Sequence, residues 1–174
     1  PRPASPEQGR PRTSLSAWRE RGRLWNFRGH SVFTRVAGPD DAPALLLIHG
    51  FPTASWDWEA LWAPLTRSYR VFAADMLGFG FSAKPTDYPY AIADQADLQE
   101  SFLAHHGIKT YGTLAHDYGD TVSQELLARQ DEPGERPRMR SLVLLNGGLF
   151  PESYRPLLTQ KLLLSPLGPL VAPL

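Results

Sequence analysis

Cysteine is absent from this chain, and that absence alone removes three kinds of chemistry. No disulfide can brace the fold, no thiolate can attack a substrate, and no metal can be held by sulfur. A reducing compartment is compatible with this composition. Charge of one sign is lacking too: Lys+Arg and Asp+Glu both total 18, giving a formal net charge of zero. Nucleic-acid and polyanion partners ordinarily demand a basic excess, so none is expected. The most apolar stretch, Leu157 to Leu174, is broken by Gln160, Lys161 and three prolines, which makes it a poor membrane span. No Gly-x-x-x-x-Gly-Lys phosphate loop and no Gly-x-Ser-x-Gly serine elbow occurs. A cofactor or a bound metal is not called for by any motif.

What is present is ordinary for a water-exposed globular chain. Hydrophobic residues make up 42% and charged residues 21% of 174, enough for one domain with a sizeable core. The 17 prolines crowd the two ends. Residues 1–16 mix Pro, Arg, Ser and Gly with no apolar period, so a disordered lead-in is expected there. The chain begins with proline and ends inside an apolar segment. It is therefore expected to be cut short at both ends.

Between the ends, strand-like and helix-like segments alternate. Ser31 to Arg35 alternates in polarity and suits a half-buried strand at a sheet edge. Ala44 to Ile48 is a continuous apolar run, the pattern of a strand covered on both faces. Asp57 to Leu65 carries Trp58, Leu61, Trp62 and Leu65 at helical spacing. Tyr69 to Ala74 suits a strand, and Ile92 to His106 a helix burying Ile92, Ala96, Leu98, Phe102 and Leu103. Tyr111 to Ala115 follows as a strand, then a helix from about Gly119 to Arg129 and a strand over Ser141 to Leu145. Such alternation predicts an α/β fold, a mostly parallel sheet with helices on both faces. Reactive groups in these sheets collect where strands end.

The chemistry-bearing residues sit at those ends. In Leu114-Ala115-His116-Asp117-Tyr118-Gly119-Asp120 an apolar strand enters a helix through a turn flanked by the small residues Ala115 and Gly119. Small neighbours permit a turn tight enough to lift the central side chain clear of the sheet, which makes Asp117 a candidate nucleophile. The helix that follows would add its N-terminal dipole. An aspartate at a helix start is equally favoured as a simple N-cap. The loop His49-Gly50-Phe51-Pro52, after an earlier buried strand, can turn the Phe51 N–H toward the elbow. With the N–H of Tyr118 it would form an oxyanion hole. A plain Gly-Pro turn is the competing reading of that loop. His49, Gly50, Pro52, His116 and Gly119 are expected to shape the site. The stretch Asp75 to Pro85, with Gly78 and Gly80, lacks the third glycine and the immediate helix of a dinucleotide loop, so it is expected to fold tightly below the site. His105 and His106, adjacent at a helix end, lack metal-ligand spacing and suit a solvated turn.

Taken in order, HGFPTASWDW, DMLGFGFSAKP, AHDYGD and NGGLFPESYRPLLTQKLL resemble α/β-hydrolases of the epoxide hydrolase and haloalkane dehalogenase group. Within that group the likeness is to the mesoderm-specific-transcript type and its bacterial relatives, over about Trp25 to Leu170. The resemblance implies an N-terminal hydrolase core over 17–149 and the start of a helical cap over 150–174. It implies Asp117 as nucleophile, Phe51 and Tyr118 at the oxyanion site, and an acid and a histidine base beyond the cap. All five histidines, His30, His49, His105, His106 and His116, lie before the elbow aspartate. The base must follow the nucleophile in this fold, so the chain by itself is expected to be inactive.

An aspartate nucleophile implies an alkyl-enzyme ester hydrolysed by a histidine-activated water. Related dehalogenases carry Asn after His-Gly and Trp after the nucleophile as halide donors. Phe51 cannot donate from its side chain, so an epoxide or another small apolar electrophile is the expected substrate. A hydrolase-fold protein that binds a ligand or partner without turnover is the alternative. The resemblance implies a cytosolic setting for a bacterial-type relative, the one expected here, and an endoplasmic-reticulum membrane for the eukaryotic type.

Overall fold

The computed structural model describes residues 13–147. Most of the expected lead-in and the whole expected cap segment, 150–174, lie outside the described residues. Residues 13–16, assigned to the lead-in from composition, belong to the fold instead. The Ser14 hydroxyl accepts from the Ala17 N–H and starts helix α1, Leu15–Glu20. Apolar periodicity could not reveal a helix this short. Its one buried residue, Trp18, is 1% exposed.

Six strands form one sheet: β1 (Arg23–Phe27), β2 (His30–Ala37), β3 (Ala44–Ile48), β4 (Arg70–Ala74), β5 (Thr110–His116) and β6 (Arg138–Leu145). Their spatial order is β1-β2-β4-β3-β5-β6. The hairpin β1–β2 and the β2–β4 pair are antiparallel, whereas β3–β4, β3–β5 and β5–β6 are parallel. The strand expected at a sheet edge is therefore interior. β2 lies between β1 and β4, and β1, not anticipated from the polar-looking sequence RLWNF, takes the edge.

Helices cover both faces. On one side α1, α2 (Glu59–Leu65) and the turn before α2 pack through Trp18, Trp62 and Trp58 against Phe33, Leu47, Val71 and Ala73. Leu61, counted in the helical stripe, is instead exposed, because a 3-10 turn over Ser55–Trp58 precedes α2 and shifts its phase. On the other side α3 (Ile92–His105) and α4 (Tyr118–Ala128) bury Ala96, Leu98, Phe102, Val122 and Leu126 against Leu46, Ile48 and Phe72. His106 does not sit in a solvated turn. Its ring packs 5.3 Å from Phe72 and 5.2 Å from Phe102, and burial, with His105 and Arg70 adding to it, pushes its pKa down. No helix among the described residues is long and apolar enough to cross a membrane.

Two buried arginines tie the layers together. The Arg35 guanidinium lies 3.8 Å from the Trp18 ring and 4.4 Å from the Trp62 ring. Burial first, then Arg21, lowers its pKa to about 10, and it stays cationic at neutral pH between two π faces. Arg129, at the end of α4, donates to Glu125, Asp97 and Glu100 at 2.8, 2.7 and 3.1 Å, and to the Ala93 carbonyl at 3.0 Å. Burial alone would raise Asp97, but its hydrogen bonds from Arg129 and Arg28 outweigh that and hold its pKa down. This clamp fixes α3 against α4, and α4 in turn begins at the elbow. Arg129→Ala is expected to leave Asp97 and Glu100 to Arg28 and Arg136 alone and Glu125 without its bond from Arg129, and to cost about 1–2 kcal/mol. A urea-unfolding midpoint equal to that of the unchanged protein would refute it.

Candidate active site

The parallel register brings the ends of β3 and β5 side by side, with Ile48 opposite Ala115. The two loops that leave those strands therefore meet, although Phe51 and Asp117 are 66 positions apart. Asp117 has φ 53° and ψ −115°. A non-glycine residue there is strained by about 1–3 kcal/mol, held only because its surroundings over-determine it. An ordinary N-cap has an extended backbone and caps the second or third helical N–H. Asp117 does neither. Its Oδ1 accepts from the Tyr118 N–H at 2.6 Å, the first of α4, and from the Phe51 N–H across the sheet at 2.9 Å. Among the described residues its Oδ2 accepts no hydrogen bond.

Two glycines make this approach possible. A Cβ on Gly50 would fall 2.7 Å from Asp117 Cβ and 2.9 Å from His116 Nδ1. A Cβ on Gly119 would fall 2.6 Å from the Ile48 carbonyl oxygen and 2.7 Å from that of His49. Both contacts are far inside real van der Waals distance, and at Gly119 they involve backbone that cannot step aside. Of the residues expected to shape the site, Gly50 lies against Asp117 and His116, and Gly119 lies against the Ile48 and His49 carbonyls. Pro52 sits exposed in the same loop.

His49 is buried completely. Its Nδ1–H donates to the Gly50 carbonyl at 2.8 Å, and its Nε2 accepts from the Met76 N–H at 3.0 Å. Those partners select the neutral ring with the proton on Nδ1. Burial lowers its pKa, against smaller upward pulls from Gly50, Asp75 and Asp57. His49 therefore acts as a rivet joining the Phe51 loop to the loop after β4.

That second loop folds around the Asp75 carboxylate. Oδ1 accepts from the Ser55 N–H at 2.8 Å and Oδ2 from the Phe81 N–H at 2.7 Å. Ser82 Oγ donates to the Asp75 carbonyl at 2.6 Å and accepts from the Phe33 N–H at 2.9 Å. Lys84 Nζ donates to the carbonyls of Gly80 and Ser82. A Cβ on Gly80, at φ 47°, would overlap Asp75 Oδ2 at 2.1 Å. The tight fold expected of this segment is present, and it also delivers a residue the sequence did not single out. The Phe79 ring stands 6.1 Å from Phe51, 5.9 Å from Tyr118 and 5.3 Å from His49. Phe51 is 64% exposed, so these rings form an apolar rim beside Asp117. Burial raises the Tyr118 phenol pKa, which keeps it protonated. The only signal for Phe79 was its place between two glycines.

Asp120, one turn into α4, is the other residue passed over. It is fully buried, and burial raises its pKa, offset in part by the Leu145 and Gly147 N–H groups and His116, with Asp117 pushing the same way as burial. Ser123 is no alternative nucleophile: it is buried inside α4 and its Oγ donates to the Gly119 carbonyl at 2.8 Å.

Residues 43–164 match the family model described as alpha/beta hydrolase fold. The mesoderm-specific transcript homolog protein of Bos taurus is 46% identical over 157 residues, covering 86% of this chain and 47% of that protein. The putative hydrolase LipZ of Mycobacterium tuberculosis is 43% identical over 162 residues, covering 91% and 54%. The chain thus spans about half the length of these curated relatives. Among solved structures, the haloalkane dehalogenase DbeA from Bradyrhizobium elkani superposes with a TM-score of 0.65 at 28% identity, covering 72% of this chain and 41% of that one.

The buried, neutral state of His49 has a pH consequence. With a folded pKa below the unfolded value of 6.5, its stabilising contribution is complete above that value. It is lost as pH falls from 6.5 toward the lowered folded pKa, because the unfolded state binds the proton first. Stability should therefore decline as pH falls below the ordinary histidine value, and His49→Gln should flatten that slope. Parallel slopes for the two proteins in thermal unfolding would disprove the assignment.

Proposed function

The chain belongs to the α/β-hydrolase fold family, and on that premise we propose that Asp117 is the nucleophile of a hydrolase working through a covalent alkyl-enzyme ester. One observation carries this reading: a single carboxylate oxygen of Asp117 receives two backbone N–H groups, from Phe51 and Tyr118. That leaves Oδ2 as the attacking atom. In epoxide opening, Oδ2 forms a bond to a ring carbon, the ring C–O bond breaks, and its electron pair stays on the departing oxygen, which takes up a proton. Oδ1 becomes the ester carbonyl and remains between the two N–H donors.

Hydrolysis then uses the same cradle. Water, giving its proton to a histidine base, adds to the ester carbon, and negative charge develops on Oδ1 where both donors already point. Collapse of this intermediate breaks the bond to the alkyl oxygen and releases the diol after proton return from the base. The Asp117 carboxylic acid then gives its proton to water, which balances the proton that the ring oxygen drew from solvent, and the carboxylate is restored. Donors fixed before the reaction cost no reorganisation when the charge appears, which is why such a pair is worth several kcal/mol. The base and its acidic partner are expected from the family resemblance, in the half of the relatives' length that this chain does not span. The described residues would supply the nucleophile and the oxyanion site, and alone they would not complete a turnover.

The rim of Phe51, Phe79 and Tyr118 favours a small apolar electrophile. The Phe51 ring offers no donor to a departing halide, so epoxide opening is the better fit, despite the dehalogenase likeness. The protein is assigned to the cytosol as part of this reading.

The test is covalent trapping in the natural gene product that contains this chain. With styrene oxide, peptide mass spectrometry should find an ester on Asp117, and Asp117→Asn should lower hydrolysis at least about 1,000-fold. An unmodified Asp117 in folded protein, with styrene oxide and with a bromoalkane alike, would overturn the nucleophile and favour a ligand-binding role without turnover.

A further inference from the structure

The elbow is gripped from below by a carboxylate that the proposed reaction does not use. Asp120 lies at the third position of α4, buried; among the described residues its Oδ2 makes no well-formed hydrogen bond, although the Gly147 N–H is near enough to pull the carboxyl's pKa down. The helix dipole accounts for an acidic residue in a first turn, but it does not account for a buried one with an orphaned oxygen, which costs free energy wherever it occurs. The explanation lies in what its other oxygen holds. Oδ1 accepts from the Leu145 N–H at 3.4 Å, and the Leu145 carbonyl accepts from the Asp117 N–H at 2.9 Å. One residue at the end of β6, Leu145, therefore reaches Asp120 through its N–H, in a long contact, and Asp117 through its carbonyl.

The chain beyond Leu145 is shaped around the same carboxylate. Asn146 has φ 59°, and a Cβ on Gly147 would overlap Asp120 Oδ2 at 2.1 Å and Asp120 Cβ at 2.5 Å. The end of β6 thus folds closely over Asp120.

We propose that Asp120 is a positioning residue for Asp117, acting through the Leu145 backbone, whose N–H Asp120 accepts and whose carbonyl receives the Asp117 N–H. The proposal rests on the nucleophile reading above. It follows from the strain at Asp117: a residue at φ 53° returns to a relaxed conformation unless its N–H, its side chain and its neighbours are all fixed. The Phe51 and Tyr118 donors fix the side chain, and the Leu145 carbonyl fixes the N–H. When Asp120 no longer holds Leu145, Asp117 is free to rotate and Oδ1 leaves the line of the two donors. Misplacement by about 1 Å is enough to lower a rate by roughly 100-fold.

The experiment compares Asp120→Ala and Asp120→Asn in the natural gene product, with styrene oxide as the probe. Asparagine retains an acceptor for the Leu145 N–H and alanine does not. Asp120→Ala is expected to lower the saturating rate of Asp117 esterification roughly 10- to 100-fold with the half-saturating concentration changed by less than about twofold, and Asp120→Asn to recover most of that loss. Amide hydrogen exchange gives a second readout: exchange at Asp117 and Tyr118 should speed up in Asp120→Ala while Leu46 and Leu47 of β3 stay protected. Unchanged esterification and unchanged exchange at Asp117 in a variant with protected β3 amides would overturn the proposal. Equal losses in both variants would do so too. Should Asp120→Ala lose β3 protection altogether, Asp120→Asn decides: normal esterification and exchange support the proposal, and losses despite the retained acceptor refute it. Should the unchanged protein give no Asp117 ester, the nucleophile reading fails by itself, and Asp117 exchange in the two variants still decides whether Asp120 holds the elbow.

Discussion

A single carboxylate oxygen shared by two peptide N–H groups is the constraint on which this molecule turns. Asp117 Oδ1 can meet both donors only if the chain at Asp117 takes a positive φ and if the loop after β3 comes within hydrogen-bond reach. The first condition costs conformational energy, and the second leaves no room for side chains at Gly50 and Gly119. Both demands are met because β3 and β5 are parallel neighbours whose carboxyl ends lie level. A sheet in another order would separate the loops and leave a strained aspartate with nothing to hold it.

Much of the remaining polar architecture serves to keep those two loops rigid. His49 joins the Phe51 loop to Met76, and Asp75 organises the segment from Met76 to Ser82 around its own oxygens. Trp18 Nε1–H donates to Ser55 Oγ, and the Ser55 N–H donates to Asp75, so even the short helix α1 braces the site from the far side of the sheet. Buried polar groups are tolerable only when partnered, and His49 and Asp75 meet that rule. Asp120, with one orphaned oxygen, departs from it beside the strained residue, the place where a cost in stability can be offset by function.

How far the sequence alone reached can be judged residue by residue. The small residues around Asp117 and the small-residue loop at Gly50 marked the site, because a tight turn and a close backbone approach restrict residue type locally. The apolar runs of β3 and β4 likewise announced buried strands. Strand β1 escaped notice: an edge strand buries little, so its residues need not be apolar. Helix α1 is too short for a period, and the phase of α2 was misjudged because a 3-10 turn precedes it.

The sequence by itself determined the class of fold, the succession of elements from β2 to β6 and the place of Asp117 at the turn after β5. These follow from periodicity and from steric limits within a few residues of chain. Only the tertiary structure decided that Phe79 completes the aromatic rim, that Arg35 rests between two indoles, and that Asp120 and Asp117 both bond the backbone of Leu145. Each of these depends on residues far apart in the chain. Their proximity is set by strand order and by how helices cross the sheet, and no local spacing encodes that.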